Sequence, residues 1–83
     1  MSVLTIRQRQ VLSLAAHGYT NDQIGRQLGV AGATINRHLV EVYATLGARD
    51  RANAVALAIY SGDISLAELA RIAHASQQRE AAA

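Results

Sequence analysis

The sequence predicts an all-α fold, and three observations carry that prediction. Alanine is the commonest residue while proline, phenylalanine and tryptophan are absent, a composition that favours helix over strand. Apolar residues recur at three- and four-residue steps rather than alternating, which is the helical period. Successive apolar runs stop at Gly18, Gly29, Gly47 and Gly62, where glycine supplies the left-handed turn that closes a helix. With 83 residues, 51% of them hydrophobic, the chain suffices for one small domain. It contains no cysteine, which excludes disulfides and thiolate metal sites, and its three histidines, His17, His38 and His74, are scattered. Neither metal nor cofactor is expected, and stability must come from packing.

Thr5-Ile6-Arg7-Gln8 has the spacing of a capping box, so the first helix is expected from Ile6 to His17, with Val11, Leu12, Ala15 and Ala16 on its apolar side. Thr20-Asn21-Asp22-Gln23 repeats the box and opens a short helix marked by Ile24 and Leu28. After the link Gly29-Val30-Ala31-Gly32, Ile35, Leu39, Val42 and Leu46 form one stripe along a longer helix. Ala31, unlike a serine there, offers no side-chain oxygen to that helix's first amides. Asp50 caps a fourth helix from Arg51 through Tyr60, whose alanines, Val55, Leu57 and Ile59 make it apolar on nearly every side. Ser65-Leu66-Ala67-Glu68 is a third box, opening a last helix with Leu66, Leu69, Ala70, Ile72 and Ala73 on its stripe. The expected division is a unit over 1–62, a C-terminal helix over 63–76 and a frayed, disordered tail over 77–83. His17 and His74 read as ordinary surface residues, and His38 as a packed histidine at the core edge.

From Thr20 to Leu46 the pattern is helix, short turn with glycine, longer helix, the layout of a helix-turn-helix unit. On its second arm the buried stripe leaves Ala33, Asn36, Arg37, Val40, Glu41 and Ala44 facing outward. Arg37 has the planar fork for guanine O6 and N7, Asn36 suits adenine N6 and N7, Val40 suits a thymine methyl, and Glu41 accepts from cytosine or repels phosphate.

The chain resembles the DNA-binding domain of the LuxR/GerE family. Leu4-Thr5, Arg7, Val11-Leu12, Gly18, Asn21, Ile24, Leu28, Thr34-Ile35, His38, Leu46-Gly47, Arg51 and Ala54-Val55 stand in that family's order without a gap. Sigma-factor region 4 shares the Leu-Thr-x-Arg opening, but the portion from His38 to Val55 looks like LuxR. The resemblance spans about Leu4 to Gly62 and implies a four-helix LuxR-type helix-turn-helix domain, here with an extra C-terminal helix. Its third helix is expected in the major groove and its fourth in a homodimer, with Ala56 and Leu57 as contacts. The same resemblance implies phosphate contacts near Thr20 and Asn21, which start a helix whose free amides suit an anion. Thr34, Arg26, Arg49 and Arg51 are further phosphate-contact candidates. Gln8, Ile6, Ala31 and Asn36 stand where the family more often has glutamate, proline, serine and lysine.

The expected function is that of a sequence-specific, double-stranded DNA-binding transcriptional regulator, bacterial or phage and cytoplasmic. All eight basic residues are arginine, and the net charge is only +2, which permits nucleic acid as a partner without demanding it. A second class is an interaction protein on the same scaffold, binding RNA polymerase, a sigma factor or another regulator with little DNA affinity of its own. The low charge and the apolar fourth and fifth helices support it. An enzyme is not expected: the sequence has no phosphate-binding glycine motif, no nucleophile–base spacing and no carboxylate cluster. No run approaches the roughly 20 apolar residues of a membrane span, and no leader pattern opens the chain. The first helix begins almost at Met1, so no receiver or ligand-binding domain is expected ahead of it.

Overall fold

Every expected capping bond is made in the computed structural model, which describes residues 3–82. Five helices follow in order: α1 (Ile6–Ala16), α2 (Asn21–Leu28), α3 (Gly32–Leu46), α4 (Arg51–Ser61) and α5 (Leu66–Ala82). Thr5 and Gln8 close α1 reciprocally, with Thr5 N donating to Gln8 Oε1 at 3.0 Å and Gln8 N to Thr5 Oγ1 at 3.1 Å. Thr20 and Gln23 do the same for α2, and Ser65 and Glu68 for α5. Asp50 accepts from Asn53 N at 2.8 Å to start α4. Gly29, Gly47 and Gly62 end their helices in the left-handed region.

The core is small and aliphatic. Ile24 of α2, Ile35, Leu39 and Val42 of α3, Val11, Leu12 and Ala15 of α1, and Ala54 and Ala58 of α4 are buried together with Leu4 and Ile64. The third-helix stripe is thus borne out, with Leu46 half-buried at its end. α1 lies at the centre. Val11, Leu12, Ser13 and Ala15 are buried and Leu14 is half-buried, so α1 is covered on several sides rather than one, and all four other helices pack against it. His17, expected at the surface, is half-buried at the end of α1, because that helix is enclosed.

Two expectations about the C-terminal half need correction. α4 is apolar in composition but not enclosed: only Ala54 and Ala58 are fully buried, Val55 and Leu57 are half-buried, and Ala52, Ala56, Ile59 and Tyr60 are exposed. Alanine is too small for apolar character to signal burial. The expected loose tail is helical through Ala82, because the stretch from Leu66 to Ala82 has no glycine or proline and is rich in strong helix formers. Met1, Ser2 and Ala83 lie outside the described residues. α5 packs chiefly on α1, and none of its described side chains is fully buried. No described helix is long and apolar enough to cross a membrane.

Candidate nucleic-acid interface

The turn between α2 and α3 is closed by a backbone hydrogen bond. Gly29 takes φ 74°, ψ 30°, and Val30 N then donates to Gly25 O at 2.9 Å, folding the chain back over the last turn of α2. Gly25 is buried, and a Cβ there would collide with the Val30 carbonyl and press on Ala31 C and Gly32 N, each 3.3 Å away. Only glycine lets the turn close this tightly. Ala31 follows at φ −71°, ψ 152°, the N-cap position of α3, without a side-chain cap. The Asp22 carboxylate comes close to this helix start: a Cβ on Gly32 would collide with its Oδ1, so a negative charge faces the positive end of α3.

With one side fixed on the core, α3 turns Ala33, Asn36, Arg37, Val40, Glu41 and Ala44 to solvent. Val40 remains 55% exposed, an apolar side chain that the fold itself leaves uncovered. Among the described residues, Asn36 and Arg37 have no side-chain bond that would have to break before they met a ligand. Glu41 is different. Gln8 Nε2 donates to Glu41 Oε2 at 3.4 Å, so the amide that caps α1 also touches this carboxylate. A glutamate at position 8 would instead set two carboxylates side by side. His38 is half-buried on the flank of the stripe, and Thr34 is half-buried beside Ile35.

Apart from Thr34 on α3, the phosphate-contact candidates lie on α2 and at the start of α4. Thr20 Oγ1 accepts from Gln23 N, and Ile24 N donates to Thr20 O, which leaves the Asn21 and Asp22 amides as the open donors at the start of α2. Arg26 is exposed one turn on, where Tyr19, Gln23, Arg26 and Gln27 line a shallow surface hollow. Arg49 is exposed, with its backbone amide donating to Asn53 Oδ1 at 3.0 Å. Arg51 is half-buried and already engaged: Nη1 donates to the Tyr19 carbonyl at 2.8 Å and Nη2 to Asn21 Oδ1 at 2.6 Å. The structure therefore brings together Asn21 and Arg51, which are thirty residues apart, and joins the start of α4 to the start of α2.

Sequence reasoning missed Gly25, Asp22 and the second acceptor, Tyr19. Gly25 left a readable signal, since a glycine inside a helix costs about 1 kcal/mol against alanine and implies a close approach. The other two left none, because they are tertiary pairings. No group of three or more metal-ligating side chains occurs among the described residues.

Residues 2–58 match the family model of bacterial regulatory proteins, luxR family. The chain belongs to this family. Over 54 residues it is 48% identical to the HTH-type transcriptional regulator MalT of Yersinia pestis (strain Pestoides F), covering 65% of this chain and 6% of that protein. It is 44% identical to the probable transcriptional regulatory protein SgaR of Hyphomicrobium methylovorum, again over 54 residues, covering 65% of this chain and 26% of that one. The chain thus spans only a small part of the length of these relatives. Among solved structures, that of the transcription factor GerE is similar with a TM-score of 0.75 at 29% identity, covering 80% of this chain and 98% of that one. The response regulator ChrA of a heme-sensing two-component system gives a TM-score of 0.71 at 30% identity, over 77% of this chain and 32% of that one. The fold is the LuxR-type helix-turn-helix, and the domain is that of a DNA-binding regulator.

Proposed function

We propose that this chain binds double-stranded DNA sequence-specifically as a homodimer, with α3 in the major groove, and regulates transcription in the cytoplasm. The observation that carries the reading is the division of α3 into a side locked on the core and a side left free. Asn36, Arg37 and Val40 on the free side offer an amide, a guanidinium fork and an apolar contact for base edges. Thr20, Asn21, Arg26, Thr34 and Arg49 supply the surrounding backbone contacts, which position the domain without reading sequence. Glu41, next to Gln8, reads a cytosine amino group at the edge of the footprint. The dimer forms through the outer side of α4, where Ala56 and half-buried Leu57 lie beside exposed Ile59 and α5 leaves the surface open. Residues 1–62 make up the DNA-binding unit, and α5 is an appended helix.

A fluorescence-anisotropy titration on promoter duplex at two salt concentrations tests the reading. Binding that weakens steeply as salt rises supports it. Absence of binding at low salt would overturn it in favour of an interaction protein for RNA polymerase, a sigma factor or another regulator. The net charge of +2 and the exposed Ile59, Tyr60 and Leu66 would then take on that meaning.

A further inference from the structure

We infer that Arg51 is a positioning residue of the DNA-binding face, which sets the Asn21 amide for phosphate rather than touching phosphate itself. The inference rests on the DNA-binding reading above and assigns how one end of that face is built. The Arg51 guanidinium spans two acceptors contributed by the entry to α2, a main-chain carbonyl at Tyr19 and a side-chain oxygen at Asn21, at 2.8 and 2.6 Å. Two bonds from one planar group fix both the direction of the chain before α2 and the rotamer of its first residue. With Oδ1 held, the Asn21 side chain has one functional atom left, the Nδ2 donor, beside the open Asn21 and Asp22 amides of the helix start. A neutral amide and two main-chain amides then form one donor set around an anion.

Both partners of Arg51 are uncharged, so the guanidinium keeps its full positive charge close to this set. Arg51 also begins α4, so its two bonds, one to Tyr19 and one to Asn21, tie the start of that helix to the entry of α2.

A direct phosphate contact tolerates lysine, which keeps the charge, whereas a bridge between two acceptors in one plane does not. Arg51→Lys, Asn21→Ala and the double variant are compared with the wild type by DNA titration, at a temperature where circular dichroism shows all four folded. Each single variant is expected to lose about tenfold in affinity, and the double no more than the weaker single, because both remove the same donor. Full affinity in Arg51→Lys, or losses that multiply in the double variant, would overturn the inference. In the free protein, NMR should show the Asn21 side-chain amide pair displaced in Arg51→Lys, and an unmoved pair would overturn it independently of DNA. If the wild type bound no duplex, the functional reading would fail first, while the NMR comparison would still judge the bridge.

Discussion

Gly25→Ala tests whether the α2–α3 turn is as tight as its backbone geometry requires. In an ordinary helix the change would stabilise by about 1 kcal/mol, because alanine is the better helix former. Here the new methyl would meet the Val30 carbonyl head-on and two further backbone atoms of the turn at 3.3 Å. None of the three is the end of a flexible side chain, so the turn itself must move and the bond from Val30 N to Gly25 O at 2.9 Å must lengthen. Overpacking of this kind costs about 1–3 kcal/mol. Because only backbone can give way, the upper part of that range applies, about 2–3 kcal/mol; set against the propensity gain, the net loss is about 1–2 kcal/mol, which for a domain of this size lowers Tm by about 4–16 °C. Thermal unfolding followed by circular dichroism reads this directly. Gly32→Ala is the control, because its methyl would meet the Asp22 carboxylate, which can swing aside, and its loss should be smaller. An unchanged or raised Tm in Gly25→Ala would refute the close approach and the turn geometry built on it.

Ala31→Ser should stabilise the domain by about 0.5–1 kcal/mol, since Ala31 has N-cap geometry and no side-chain oxygen; an unchanged melting temperature would mean that Asp22 already serves those amides. Leu57→Glu should sediment as a folded monomer at concentrations where the wild type is a dimer, because Leu57 lies outside the group packed on the core; unchanged mass would remove α4 from the interface. Hydrogen exchange should find α5 amides opening well before those of α1 and α3, as no described α5 side chain is fully buried; equal protection would show that α5 belongs to the cooperative core. Ser13→Ala should raise Tm, since the buried Ser13 hydroxyl has no hydrogen-bond partner among the described residues; a fall would reveal a partner.

What could be read from the sequence was local. Thr5 with Gln8, Thr20 with Gln23 and Ser65 with Glu68 announce their helices because both halves of each bond lie three residues apart. Gly29, Gly47 and Gly62 announce the ends through their own backbone preference. The α3 stripe was legible for the same reason, and with it the outward set from Ala33 to Ala44. What required the fold was whatever depends on which helix lies against which. α1 sits in the middle, so Ser13 and His17 are enclosed although nothing in their neighbours says so. Arg51 reads in the sequence as a phosphate-contact candidate, and only the fold brings Tyr19 and Asn21 to it. The apolar character of α4 pointed to burial on every side, whereas its alanines are simply compatible with exposure.

If the outer side of α3 reads bases, Arg37 stands at the heart of that readout. Selection of wild-type protein against a pool of random duplexes, followed by titration of wild type and Arg37→Ala on the winning site and on unselected DNA, tests it most directly. The enriched site is expected to be an inverted repeat with half-sites about one helical turn apart. Arg37→Ala should lose about 1–3 kcal/mol on that site, with a much smaller loss on unselected DNA. Equal losses on both would make Arg37 a phosphate contact and move readout to Asn36, Val40 or Glu41, and a selection that enriches no sequence would contradict the claim outright.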